Sequence, residues 1–247
     1  MIELEGVSKR YGGVYAVKNV SISIAKGQFV AVLGESGSGK TTLVKMINRL
    51  VEPDAGVVRI AGKDVRDEDV VALRRRIGYV IQHMGLLPHL TVMENVATVP
   101  RLLGWTEAAI RARVAELLAL VGLANFGDRF PDQLSGGQRQ RVGVARALAA
   151  KPEILILDEP LGALDPVTRL DLQRELKRIH KELGLTSVMV THDMVEAFTL
   201  ADRIAVMYRG ELRQLASPHD LIATPSDDYV AKLVGLALQQ AEVMRAL

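Results

Sequence analysis

One stretch limits what this chain can fold into more than any other: Gly34-Glu35-Ser36-Gly37-Ser38-Gly39-Lys40-Thr41-Thr42, set directly after Phe29-Val30-Ala31-Val32-Leu33. A continuous apolar run bounded by a turn signal is the pattern of a strand buried on both faces. Beyond the loop, Leu43, Met46, Ile47 and Leu50 recur at helical spacing. The segment therefore reads as strand, glycine-rich loop, helix. Glycines remove the side chains that would hold a backbone away from a phosphate, so successive N–H groups can point inward, aided by the positive end of the helix. Lys40 adds a point charge, and Thr41 offers a hydroxyl to Mg²⁺. A glycine-rich turn that merely caps a helix is the competing reading. The flanking strand and helix favour a nucleotide phosphate.

Composition narrows the partners. Lys and Arg number 31 against 29 Asp and Glu, a net charge of +2, so nothing in the balance demands nucleic acid or an anionic membrane surface. The absence of cysteine excludes disulfides and thiolate metal sites and fits a reducing compartment. Met1-Ile2-Glu3-Leu4-Glu5 has neither a basic start nor an apolar stretch, and no run approaches the roughly 18 apolar residues of a membrane span. The expectation is a cytoplasmic protein that reaches a membrane only through a partner.

In chain order, Ile2, Leu4, Val20, Ile22 and Ile24 alternate as in antiparallel strands. Tyr11 falls in the polar connection Lys9 to Gly13, where an aromatic ring either fills core or has something stacked on it. A β segment over 56–62 and a charged helix ending at Arg74-Arg75-Arg76 lead to the strand Ile77 to Ile81, which stops at Gln82. From about 86 to 150 the periodicity is helical throughout, which predicts an inserted helical lobe. Within it Thr106 caps a helix running to Val121, and Leu134-Ser135-Gly136-Gly137-Gln138 opens another. A serine and two glycines at a helix start form a second anion-binding nest. Ile154-Leu155-Ile156-Leu157 then runs into Asp158-Glu159, at the carboxyl end of a strand where ligands of parallel sheets bind. Asp165-Pro166 starts a helix that stops at Gly184. The strand Ser187 to Thr191 ends at His192, and a further strand covers Arg203 to Tyr208. Beyond Ser217 two short helical stretches are broken by Pro225, with an independent helix expected from Leu236.

With the phosphate loop, Leu134 to Gln138 and the Asp158-Glu159 strand in this order, the chain resembles the ATP-binding cassette (ABC) ATPases over nearly its whole length. The resemblance implies an α/β fold of P-loop type: a mixed-sheet core with an N-terminal antiparallel β subdomain (1–85 and 151–216), an inserted helical subdomain (86–150) and a C-terminal helical tail (217–247). It also implies a role for each matching position. Tyr11 would stack on adenine, and Gly37, Gly39 and Lys40 would hold the phosphates. Thr41 and Gln82 would lie at Mg²⁺, and Asp158 would hold the metal through water. Glu159 would activate the attacking water, and His192 would contact the γ-phosphate. Ser135 and Gly137 would complete the site of a second copy of the chain, closing two ATP molecules between two subunits, and Gly136, Gln138 and Asp165 are counted with the nucleotide-binding residues. Leu161 departs from the pattern, since importers often carry Phe or Thr there.

Among cassette proteins, those acting on nucleic acid or ribosomes usually have two cassettes in one chain or a long coiled-coil insertion, and this sequence has neither. The expected partners are membrane permease subunits and, through them, an extracytoplasmic solute-binding protein. Leu86-Leu87-Pro88-His89-Leu90 is the segment that would receive the permease, with core packing as the alternative. The run Gly78 to His89, its continuation Val99 to Trp105, and Lys45-Met46-Ile47-Asn48-Arg49 look most like the branch of importers for glycine betaine, choline and carnitine. Import of another polar solute, such as an amino acid, is the competing reading. Many relatives in that branch continue into a regulatory domain after the cassette, whereas this sequence ends at Leu247, which leaves osmotic sensing through such a domain open.

Overall fold

A computed structural model describes residues 1–82, 85–162 and 164–246, with side chains up to 239; His83 and Met84, in the run singled out above, lie outside the described residues. The chain begins with β1 (Ile2–Tyr11), β2 (Val14–Ile24), β3 (Phe29–Leu33), α1 (Lys40–Ile47), β4 (Ala55–Ile60) and β5 (Lys63–Asp64). There follow α2 (Val70–Arg75), β6 (Ile77–Val80), α3 (Val92–Leu102), α4 (Glu107–Leu120), α5 (Gly136–Leu148), β7 (Ile154–Asp158) and α6 (Pro166–Leu183). It closes with β8 (Thr186–Thr191), α7 (Met194–Leu200), β9 (Arg203–Tyr208), β10 (Glu211–Ala216), α8 (Pro218–Ala223) and α9 (Asp228–Ala246). These elements fall into two compact units, Met1–Val70 with Val188–Leu247, and Val71–Ser187.

In the first unit, β1 pairs antiparallel with β2 and with β4, giving the order β2-β1-β4-β5. Ile2, Leu4 and Val7 face Val20, Ile22 and Ile24 in one buried layer, so the alternation visible in the sequence marks the core face. A second sheet runs β10-β9-β3-β8, with β8 entering this unit at Val188. There β3 is parallel to β9, and β10 closes the edge antiparallel to it. All of β3 is buried, as its unbroken apolar run requires. Tyr11 does not lie in a connection: it is the last residue of β1, paired with Val14. The tail also differs from expectation. α9 runs unbroken through Leu236, because Val230, Val234 and Ala237 keep one buried stripe along it.

In the second unit, β6 and β7 pair in parallel from Ile77 with Ile154 to Val80 with Leu157. Residues 86–150 are helical, and the described ones include no strand. The compact unit nevertheless includes β6 and β7 with these helices, whereas the sequence grouped those strands with the phosphate loop. Close packing accounts for it: a Cβ on Gly78 of β6 would stand 2.5 Å from the Ala147 carbonyl oxygen of α5. The helix ends follow their chemistry. Thr106 accepts the Ala109 N–H at the start of α4, and α6 starts at Pro166 and stops at Gly184 in left-handed conformation, φ 60°. No helix among the described residues is long and apolar enough to cross a membrane.

Candidate nucleotide site

The first unit carries the glycine-rich loop. Gly39, the residue before α1, has φ 97°, and a Cβ there would stand 2.0 Å from the carbonyl oxygen of Ala16. Only glycine fits, because both the backbone angle and the space exclude a side chain. Lys40 is buried, with its Nζ donating to the carbonyls of Gly34 and Glu35 at 2.8 Å each. The loop is braced further by the Ser38 N–H to Glu35 (3.1 Å) and by the N–H of Gly210, in the β9–β10 turn, to the Ser38 carbonyl (3.1 Å). The Ser38 hydroxyl is excluded from solvent without a hydrogen-bond partner, the kind of orphan that a phosphate oxygen satisfies. Glu35, Ser36 and Gly37 are exposed, and Thr41 and Thr42 are half-buried at the start of α1.

Tyr11 is 52% exposed, which removes the core-filling alternative and leaves a ring face for stacking. His192 is exposed at the end of β8. Its neighbours are fixed. The Thr191 hydroxyl donates to the buried Glu196 carboxylate at 2.6 Å and accepts the Asp193 N–H at 3.0 Å, and Asp193 in turn caps α7.

The second unit gathers the groups at the ends of β6 and β7. The Gln82 amide donates to a Glu159 carboxylate oxygen at 3.0 Å. Asp158 is 2% exposed and accepts the Tyr79 hydroxyl at 3.1 Å. Glu159 has φ 48°, a left-handed conformation costing a non-glycine residue about 1–2 kcal/mol. Strain of that kind collects where a side chain must be aimed. Ser135 and Gln138 form a capping box at the start of α5, the hydroxyl accepting the Gln138 N–H (3.2 Å) and the Gln138 amide oxygen accepting the Ser135 N–H (2.9 Å). A Cβ on Gly137 would stand 2.3 Å from the Thr168 methyl, so this start of α5 lies directly against α6. Asp165 caps α6 at the Thr168 N–H (3.1 Å), and the Thr168 hydroxyl and N–H hold its carboxyl below the usual carboxylate range.

No group of three or more His, Asp or Glu side chains that could hold a metal by themselves occurs among the described residues. The donors proposed from the sequence are a hydroxyl (Thr41), an amide (Gln82) and a carboxylate (Asp158). So sparse a set of oxygen ligands fits Mg²⁺, which completes its shell with waters and phosphate oxygens.

A family model for ABC transporters matches residues 17–162. The chain belongs to the ABC transporter family. Its fold is the cassette fold, shared with the dimeric ATP-binding cassette MJ0796 bound to ADP and Pi (37% identity, TM-score 0.79, 88% of this chain and 98% of that one). CbiO1 from Clostridium perfringens, part of the cbiONQ transporter complex, superimposes with TM-score 0.85 at 29% identity, over 100% of this chain and 98% of that one. In sequence, the chain is 52% identical over 95% of its length to the choline transport ATP-binding protein OpuBA of Bacillus subtilis, of which it covers 62%. It is likewise 52% identical over 95% to the glycine betaine uptake system ATP-binding protein YehX of Escherichia coli, covering 77% of that protein. The chain thus spans about three fifths of OpuBA.

Three residues beside the cassette motifs escaped the sequence reading. Tyr79 sits in an apolar strand with nothing in the pattern to mark its hydroxyl. Glu196 resembles any helical surface charge until burial reveals it. Asn95, wholly buried, accepts the Leu87 N–H (2.8 Å) and donates to the carbonyls of Leu87, Leu90 and Thr91 (3.0 Å each), tying down the 86–91 segment. The spacing Thr91-x-x-Glu94, a capping box in the structure, was the available signal for the helix that carries Asn95.

Proposed function

We propose that this cassette hydrolyses ATP in an importer that takes up a quaternary ammonium osmoprotectant such as glycine betaine, choline or carnitine. The observation that carries the reading is the 52% identity, over 95% of the chain, to ATP-binding proteins of choline and glycine betaine uptake systems. In this reading two copies close over two ATP molecules at the cytoplasmic face of the inner membrane, bound to permease subunits that receive solute from an extracytoplasmic binding protein.

Phosphoryl transfer is mostly positioning and charge neutralisation. Lys40 and the N–H groups of residues 34–42 bind the phosphates, while Tyr11 stacks on the base. Mg²⁺, held by Thr41, Gln82 and, through water, Asp158, would neutralise charge on the phosphate oxygens. Glu159 takes the proton of the attacking water, and the Gln82 amide, 3.0 Å away, orients its carboxylate. His192 contacts the γ-phosphate from the end of β8. Ser135 to Gln138 and Asp165 serve the ATP bound by the partner subunit.

A second reading has a specific basis. The sulfate/thiosulfate import ATP-binding protein CysA of Synechococcus elongatus is 47% identical over 95% of this chain. Identity in a cassette tracks the permease and the nucleotide, because the cassette holds ATP and not the solute. Uptake of labelled betaine, choline, carnitine, sulfate and an amino acid, in cells with and without the gene at high and low osmolarity, separates the readings. Loss of betaine, choline or carnitine uptake is expected. Loss confined to sulfate or the amino acid refutes the osmoprotectant assignment and leaves the ATPase assignment standing. Glu159→Gln tests the latter: hydrolysis by the purified protein should fall about 10²- to 10⁴-fold while ATP binding persists.

A further inference from the structure

We infer that Tyr79 is a positioning residue for Asp158, fixing the orientation in which that carboxylate meets the Mg²⁺ shell; the inference rests on the proposed role of Asp158. The geometry follows from strand register. Tyr79 of β6 is paired with Ile156 of the parallel strand β7. Asp158 lies two residues beyond Ile156, so the side chains of Ile156 and Asp158 stand on one face of the sheet. A long side chain opposite Ile156 can lean along the strands and reach the end of β7. The Tyr79 hydroxyl does so, donating to Asp158 Oδ2 at 3.1 Å.

A carboxylate only 2% exposed needs hydrogen-bond donors in place of the water it has lost. A phenol attached to a strand supplies one with little freedom of its own, so it fixes the carboxylate plane as well as its charge. Among the groups identified at the ends of β6 and β7, Gln82 addresses Glu159 and Tyr79 addresses Asp158. Each acidic residue of the pair thus has its own orienting partner.

Tyr79→Phe removes the hydroxyl and keeps the ring. The full chain would be titrated with Mg²⁺ at a fixed concentration of a fluorescent ATP analogue, and in parallel with Mn²⁺ followed by electron paramagnetic resonance. Half-saturation by either ion should move to roughly tenfold higher concentration, the low end for loss of an outer partner of a metal-holding group, while analogue binding without metal is unchanged. Asp158→Asn serves as the reference. If Asp158→Asn shifts the metal curves and Tyr79→Phe lowers only the melting temperature, Tyr79 is structural and the inference is overturned. If Asp158→Asn leaves the curves in place, the role assigned to Asp158 fails, and this inference fails with it.

Discussion

Lys40 shows how one side chain braces the loop in which the phosphates are proposed to bind. Buried, and donating 2.8 Å hydrogen bonds to two carbonyls of the loop it belongs to, it holds the backbone in its curve. It also brings positive charge to that curve. Lys40→Ala therefore removes a brace and, in the role proposed for it, a phosphate contact together. Charge-assisted hydrogen bonds contribute about 1.5–3 kcal/mol each, so ATP affinity should fall roughly 10- to 150-fold, measured by calorimetry with Mg²⁺ present. A variant that binds ATP as tightly as the parent would show that the backbone alone carries the phosphates. Glu159 is the opposite case at the same scale. Its left-handed φ is a backbone property that no spacing in the sequence reports, although its place after four apolar residues made its chemistry legible.

Elements with one strong periodicity were legible, and those whose partners are distant were not. β3, β7 and β9 each follow from an apolar run with a turn signal, and α4 and α6 carry their caps in the sequence. β10 was missed because it is an edge strand whose residues are all partly exposed or fully so, leaving no buried face to alternate with a polar one. α9 was broken too early because its stripe of Val230, Val234 and Ala237 is defined by the surface it covers. The 86–91 segment is the functional instance of the same limit. Apolar and punctuated by proline, it could have been core; in the structure Leu87 is 37% exposed and the segment is shaped by the buried Asn95. Asn95→Ala would leave the Leu87 N–H without its acceptor and take a donor from the carbonyls of Leu87, Leu90 and Thr91, of which Leu87 and Thr91 keep backbone donors. A loss of about 2–3 kcal/mol in unfolding free energy is expected by urea denaturation. If this segment is the permease's contact, solute uptake should drop more than the ATPase activity of the isolated subunit. Equal losses in both would place Asn95 in general stability and remove the segment's special role.

At the scale of the whole molecule, the start of α5 is what a single chain leaves unexplained. Ser135 and Gln138 satisfy each other in a capping box, which accounts for them as a helix start, whereas nothing within 3.9 Å requires glycine at 136. Gly137 is fitted against Thr168, and Asp165 caps the same α6, so a short surface formed by the starts of two helices is held rigid within one unit. Ser135 and Asp165 on that surface are exposed. Two helix N-termini favour negative charge, and a second copy of the chain carrying ATP would bring it. The cassette MJ0796, 37% identical to this chain, has a dimeric structure with ADP and Pi, and a second copy of this chain is the occupant proposed above. Glu159→Gln with ATP and Mg²⁺ should accumulate as a dimer in light scattering, because binding survives while hydrolysis does not. Adding Ser135→Arg places a long cationic side chain where the partner's phosphates would sit, and the mass should return to that of one chain. That substitution also removes the cap, worth about 1 kcal/mol. Ser135→Ala removes the cap without the bulk, so it should weaken the dimer far less than Arg does. A dimer that persists in Glu159→Gln with Ser135→Arg would place Ser135 away from the interface, and equal loss with Ala and Arg would make the helix cap, rather than the space before it, the property that dimerisation needs.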